Sequence, residues 1–477
     1  MEISQNVPLG HTNTGLMSRI GSIIRAASKA LVKPTDAAAL GTFRVLFGAL
    51  MVWEVYRYHS NNRISYYYIE PNFYFTYELF PFVTPVPGQW MYLVFFVMGL
   101  AALGIALGFF YRVSALIFFL TYTYVFLLDK AQYNNHYYLI ILLAFLLVIV
   151  DAHRWASIDQ KLRPGLRSQY VPYWHSFILL AQVVIVYFYA GIAKINIDWL
   201  ASRPMGDWLE RRSDYPVVGP YFETVGAAYF FSYGGLIFDL AIGFLLIWPR
   251  TRLPAFLALL FFHLTNKWLF SIGIFPYLMI AATLLFVSPD WPRRVLRRAK
   301  ITLPETATSR FTDHRYWAFG FVVVYLALQV LIPLRHWIYP SYVAWSEEGH
   351  RFSWRMKLRS KSARVAFFVT DPKTNERWEA DPRVDLTSRQ ASKMATRPDM
   401  IIQYVHHLKQ KAEQYGIKNP IIQVGSQVSL NGRPYQPIVD PAINLAEAPL
   451  SIFAASPWIL PLEVSHLDQD NAANREP

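Results

Sequence analysis

Apolar residues in this chain come in long uninterrupted blocks, which leaves few architectures open to it. A block such as Val171 to Ala193 matches the roughly 20 residues that a helix needs to cross a bilayer. Lipid cannot satisfy backbone N–H and C=O groups, so a block of this kind must bond within itself as a helix. With 54% of its 477 residues hydrophobic, 17% aromatic and only 16% charged, the chain reads as a membrane protein.

Nine stretches qualify as candidate spans: 38–57, 89–110, 113–128, 135–151, 171–193, 225–248, 253–267, 270–287 and 316–334. Several are short for a lone helix and suit a compact bundle in which protein surrounds their ends. Short cytoplasmic connections are the ones rich in Lys and Arg. With the N-terminus inside, the inner segments hold 18 cations and the outer ones 6, so nine spans with the C-terminus outside is the expected topology. The formal charge of +13 is absorbed by this flanking role, and nucleic acid is not expected as a partner. No cysteine is present, which excludes disulfides, thiolate metal sites and cysteine nucleophiles.

Residues 1–37 form a basic segment without a secretory signal's short apolar core and cleavage site, and are expected to stay cytoplasmic. Residues 38–334 form the membrane domain. Beyond it, 335–477 lose the long blocks and show strand-like runs at Phe352 to Leu358 and Val365 to Thr370, with a hairpin turn at Asn431-Gly432. An amphipathic helix fits Pro398 to Tyr415. The expected fold is thus a polytopic α-helical membrane protein of about nine spans with a C-terminal extramembrane α+β, mostly β, domain.

Four polar clusters adjoin the spans. Lys194 ends the fifth span, followed by Asn196 and Asp198. It suits either an intramembrane functional group or a lysine snorkelling to the interface with Asp198 one turn on as partner. Asn134, Asn135 and His136 precede the fourth span, where a helix cap accounts for one asparagine and not for the trio. His263 and Asn266 share a helix face, and an interhelical hydrogen bond competes with function there. Trp345 to Met356, with Trp345, His350, Arg351, Trp354 and Arg355, offers cations and rings to an acidic substrate, or else forms a strand with a solvated charged face. All four fall on the outer side. No His-Glu-x-x-His pattern, phosphate loop or Gly-x-Ser-x-Gly elbow occurs, so no metal is expected.

Leu-Leu-Asp-Lys-Ala-Gln-Tyr-Asn-Asn-His (127–136), Tyr-Phe-Tyr-Ala-Gly-Ile-Ala-Lys-Ile-Asn-Ile-Asp-Trp (187–199), the run from Phe261 to Tyr277, Ser-Pro-Asp-Trp-Pro-Arg (288–293) and Phe-Ser-Trp-Arg-Met (352–356) resemble the vitamin K-dependent gamma-glutamyl carboxylases and their bacterial relatives in the HTTM superfamily. That resemblance implies a carbon–carbon lyase coupled to quinol epoxidation. A lysine deprotonates vitamin K hydroquinone, reaction with O2 gives an alkoxide, and the alkoxide takes a γ-proton from a peptide glutamate. CO2 then adds to give γ-carboxyglutamate, and the epoxide leaves. By the same resemblance Lys194 is the catalytic lysine and His136 belongs to the carboxylation half. Asn135, His263 and Asn266 stand near the quinone, and Trp345, His350, Arg351, Trp354 and Arg355 bind the glutamate. A second lysine often precedes the catalytic one in the family, and Ala193 stands there in this chain.

To act as a base the lysine must be neutral, which an apolar site favours; tight pairing with Asp198 would oppose it, so Asp198 is expected to face Arg203 or the loop backbone. The implied setting is a bacterial inner membrane with a periplasmic C-terminal domain, and the implied partners are the bilayer and a Glu-containing peptide. Two alternatives remain: a quinol-dependent enzyme with another acceptor, and a non-catalytic quinone- or lipid-binding protein.

Overall fold

The computed structural model describes residues 13–270, 272–301 and 314–463. Residues 1–12 and 464–477 of the expected terminal segments, and Arg310 among the counted inner cations, lie outside the described residues.

Each of the nine apolar stretches is helical. After an amphipathic helix α1 (Asn13–Leu31) come α2 (Ala38–Ser60), α3 (Trp90–Leu107), α4 (Tyr111–Leu127), α5 (Asn135–Ile149), α6 (Trp174–Ala193), α7 (Val225–Ile247), α8 (Arg252–Phe270), α9 (Phe275–Thr283) and α10 (Arg315–Leu334). Among the described residues six helices, α2, α3, α6, α7, α8 and α10, are long and apolar enough to cross a membrane; α4, α5 and α9 are shorter. The break between α8 and α9 falls later than the predicted start of the eighth span at 270. Phe270 still belongs to α8, and Pro276 in the first turn of α9 sets the new start, where its missing N–H costs nothing.

One core runs through the bundle, from Leu40, Phe43 and Phe47 on α2 to Val183 and Val186 on α6. Small residues set the closest approaches. A Cβ on Gly191 of α6 would stand 2.7 Å from the Leu240 side chain and 2.9 Å from its backbone N, so α6 and α7 touch almost backbone to backbone.

The C-terminal region is α+β. An antiparallel sheet in the order β2-β1-β3 joins β1 (Lys361–Thr370), β2 (Arg377–Ala380) and β3 (Ile421–Leu430). Phe367 and Val369 of the central strand, with Ile422 and Val424 opposite them, pack on Met400, Ile401, Tyr404 and Val405 of α11 (Pro398–Gln414). The predicted amphipathic helix and the second strand-like run therefore stand. So does the turn: Asn431 (φ 50°) and Gly432 (φ 77°) adopt the paired left-handed conformation of a tight hairpin, and the chain returns to bridge Val428 with Gln436.

Phe352 to Leu358, however, is not a strand. Glu347, Phe352, Trp354 and Lys357 all have positive φ, between 50° and 66°, as does Gly349 at 69°, so the segment is a chain of turns. Such φ values are costly for side-chain-bearing residues and persist where the surroundings impose them. Phe352 is wedged among Tyr77, Phe126, Tyr133 and Tyr138, and Trp354 stacks on Tyr138 with ring centres 5.0 Å apart.

Two carboxylates, one buried (Glu347) and one half-buried (Asp399), hold this turn region. Glu347 accepts from Arg359 and from Lys361 Nζ at 3.0 Å, while Asp399 accepts from Arg351 at 2.7 Å and Lys130 at 3.0 Å. Burial alone would raise both carboxyls; the facing cations overcome it and hold each well below the usual carboxylate range. Groups depressed on folding add stability that is complete above their unfolded values of about 4 and is lost as pH falls through the folded ones. Thermal unfolding of the purified protein is therefore expected to drop progressively on acidification below about pH 4, and Glu347→Gln to flatten that dependence while lowering stability at pH 7.

Candidate functional site

Helix α6 stops at Ala193, and Lys194 caps it. Asn196 then starts the short helix Ile197–Leu200, its Oδ1 accepting from Trp199 N at 3.1 Å while its Nδ2 donates to Ala193 O at 2.9 Å. This helix-to-helix elbow fixes the Lys194 backbone and turns its side chain inward, leaving the residue only 7% exposed.

The ammonium meets a partner absent from the sequence reading. Nζ lies 2.5 Å from Asp239 Oδ2 and 3.3 Å from Ala190 O, with the Trp199 ring centre 5.3 Å away. Asp239 sits in the middle of α7, brought close by the Gly191 contact, and is 5% exposed. The intramembrane acid was itself the signal: one carboxylate in an otherwise apolar span, in Leu-Ile-Phe-Asp-Leu.

Asp198 turns away from Lys194, as expected, but not to Arg203 or the loop backbone. Fully buried, it accepts from Arg433 at 2.6 and 3.1 Å, from Asn431 at 2.8 Å and from the Tyr342 hydroxyl at 3.2 Å, all in the C-terminal region.

Lys194 and Asp239 line a cavity of about 300 Å3 together with Tyr187, Trp199, His263 and Asn266. The predicted residues Lys194, His263 and Asn266 thus share one space. His263 Nε2 lies 2.7 Å from the Tyr187 hydroxyl, so its polarity is matched across helices. Asn266 has no side-chain hydrogen bond among the described residues. The walls are aromatic, and two lining rings, Phe230 of α7 and Phe261 of α8, are 73% and 74% exposed. The cavity therefore opens sideways between α7 and α8.

His136 stands beyond this cavity's edge. Phe275 separates it from His263, with ring centres 6.1 and 6.0 Å away respectively. Arg57, bound to Glu54 at 2.6 Å, reaches the same neighbourhood: a Cβ on Gly273 would stand 3.0 Å from its Nη1. Asn135 does not line the cavity. Its Nδ2 donates to Arg355 O at 3.0 Å and its Oδ1 accepts from Tyr133, whose oxygen in turn accepts from Phe352 N. Asn134 occupies the cap position without a side-chain cap bond. Asn134 instead donates to Gln132 O at 3.3 Å, and Asn135 serves the 352–356 turn.

Within Trp345 to Met356 the residues divide. Trp345 is core, donating to Leu460 O at 2.8 Å. Arg351 is engaged by Asp399, and His350 by Arg359 at 3.1 Å. Trp354 is buried on Tyr138. Arg355 differs: it is buried, lies near Tyr342 and Glu347, and its side chain has no hydrogen bond or ion pair among the described residues. Burial lowers its readiness to hold a proton, while nearby Tyr342 opposes this, and an arriving anion would relieve it. Met356 and Lys357, directly after it, line the Lys194 cavity.

Removing one partner of a buried ion pair leaves the other charged and dry. Arg433→Ala and Asp198→Ala are each expected to cost about 3–5 kcal/mol in denaturant unfolding, and the double variant much less than their sum. Additive losses would show that the pair does not interact.

Two family models match the chain in succession. The HTTM domain family model matches residues 32–291, and that of the vitamin K-dependent gamma-carboxylase lumenal domain matches 314–465. No solved structure matches significantly. The first match contains the helices around Lys194, His136 and Asp239, and the second contains Arg355 and the Asp198 partners. The chain therefore belongs to the vitamin K-dependent gamma-carboxylase family, with its HTTM domain in the membrane bundle and its lumenal-type domain behind it.

Proposed function

We propose that this protein is a quinol-dependent gamma-glutamyl carboxylase and epoxidase of a bacterial inner membrane, with its C-terminal domain on the periplasmic side. The observation that carries this reading is the juxtaposition of an aromatic cavity holding Lys194 with a buried Arg355 whose side chain has no partner among the described residues and whose next two residues line that cavity.

The cavity's size and lining fit a fused-ring quinol head, and its opening between α7 and α8 suits a ligand that arrives within the bilayer. Bound there with O2, vitamin K hydroquinone supplies the strong base for the glutamate γ-proton and is released as the epoxide. Lys194 handles the quinol proton, Asn266 offers its free amide to an oxygen, and the Tyr187–His263 pair fixes the polarity of the opposite wall. The aromatic walls exclude water, which protects basic species from premature protonation.

Arg355 is suited to hold the glutamate carboxylate, because its fork lacks a partner among the described residues and the next two residues line the cavity. Arg351 and Trp345 serve this reading as supports, through Asp399 and the domain core. His136, with Arg57 nearby, is assigned to the carboxylation half, where a cation and an imidazole would face the incoming CO2 carbon's oxygens.

Membranes containing the protein, given reduced vitamin K, labelled bicarbonate and a Glu-rich peptide, should yield both epoxide and fixed label. Lys194→Ala is expected to abolish both, whereas His136→Ala should depress label more than epoxide. Arg355→Ala is expected to raise the peptide KM about tenfold or more, and Arg351→Ala to act chiefly on stability. Epoxide without label in the wild type would favour a quinol enzyme with another acceptor, and neither product would leave a binding protein.

A further inference from the structure

A base must have room for a proton, and the structure gives Lys194 a carboxylate at hydrogen-bond distance. The 2.5 Å contact between Nζ and Asp239 Oδ2 lies in apolar surroundings, with both groups almost wholly inaccessible. Besides this pair, the titratable groups lining the cavity are Tyr187, His263 and Lys357. Tyr187 and His263 bond each other, and Lys357 sits over the Trp208 and Phe270 rings. No other acid lines the cavity among the described residues, so Asp239 is the counter-charge to Lys194.

An ammonium already holding its proton is no base, and the same pair read as a unit is one. Shifting a proton along the Nζ–Oδ2 contact changes no net charge, so low dielectric penalises it far less than it penalises making or removing a lone ion. The pair is brought together by packing: at Gly191 α6 approaches α7 closely enough that a Cβ there would stand 2.9 Å from Leu240 N, next to Asp239. The geometry points to Lys194 and Asp239 acting as one composite base, in which Asp239 is the final proton acceptor and Lys194 is both relay and counter-ion. The identity of the acid as a quinol rests on the function proposed above; the pairing itself does not.

The step balances without any further reagent. The hydroxyl O–H bond of a phenolic ligand breaks as an N–H bond forms at Lys194 Nζ. One of the ammonium's own N–H bonds breaks as an O–H bond forms at Asp239 Oδ2. The electron pair of the ligand's O–H bond stays on its oxygen, which then faces an ammonium whose former counter-charge has been neutralised. Total charge is zero before and after, and the attraction that bound Asp239 to the lysine passes to the ligand. In this scheme Asp239 acts through Lys194 as a positioning residue and proton store. The rival scheme makes a neutral Lys194 the sole base, with Asp239 holding it back as an ammonium. The two schemes predict opposite consequences for removal of the carboxylate.

The test uses the full chain in nanodiscs and an alkyl-substituted naphthol, whose ionised form has a distinct absorption band. In wild-type protein the bound naphthol is expected to ionise at a proton concentration at least about tenfold higher than in empty nanodiscs. Asp239→Asn and Lys194→Ala should each abolish that shift, and Asp239→Glu should retain most of it. Should Asp239→Asn fail to fold, Asp239→Ser, which keeps a hydrogen-bond acceptor without a basic charge, takes its place with the same expectation. In the epoxidation assay Asp239→Asn is expected to lose about 100-fold or more. Naphthol ionisation that persists or strengthens in the Asn or Ser variant overturns the composite base in favour of lysine alone, and the absence of a shift in wild type overturns it outright. A wild-type shift that depends on Asp239, without epoxide from any quinol, supports the pair and sinks the carboxylase reading instead.

Discussion

A single fully buried carboxylate, Asp198, joins the two parts of this protein. Moving such a group out of water costs several kcal/mol, and Asp198 recovers that only through the Arg433 fork, the Asn431 amide and the Tyr342 hydroxyl together. Three of these four groups belong to the C-terminal region, and the fourth stands four residues after Lys194. The single Tyr342 hydroxyl hydrogen is shared between Asp198 and Asn196 Oδ1, 3.1 Å away, and Asn196 shapes the elbow after α6. The end of the helix that presents Lys194 is consequently set by the C-terminal region as much as by the bundle. The Asn431-Gly432 turn does double duty, since its left-handed geometry closes the hairpin and aims the Asn431 side chain at Asp198.

A second tie runs through the turns at 347–357. Asn135 at the start of α5 holds the Arg355 carbonyl, and Tyr133 holds the Phe352 amide, so the segment that bears Arg355 is pinned to the mouth of the bundle. Glu347 and Asp399 immobilise its flanks through Arg359, Lys361 and Arg351. Among the described residues the Arg355 side chain itself has neither a hydrogen bond nor an ion pair. Under the function proposed above the two ligands would use separate routes, an apolar one through the wall of α7 and α8 to Lys194 and an acidic chain through the C-terminal region to Arg355.

The helices were legible because burial in lipid demands continuous apolar runs, and the hairpin because Asn-Gly has few other uses. The Phe352 to Leu358 turns were not legible, because alternation of apolar and charged residues imitates a strand, and only contacts from distant Tyr133 and Tyr138 impose the left-handed backbone. Lys194 stood out as a charge at a span's end. Its partner Asp239 lies 45 positions further on and becomes its neighbour only because Gly191 lets two helices meet, a packing fact that local patterns do not carry. Trp345 and Arg351 share a stretch with Arg355, yet their commitments to Leu460 and Asp399 depend on tertiary folding.

The outer wall of the Lys194 cavity is made by α7 and α8, whose apolar windows are only 33% and 22% buried within the protein. Much of that wall is therefore left uncovered by the protein itself, and in a bilayer acyl chain would meet it. Lipid composition enters the dielectric, the tightness and the access of this cavity directly, so a detergent-solubilised preparation and a bilayer-embedded one are, at this site, two differently walled enzymes.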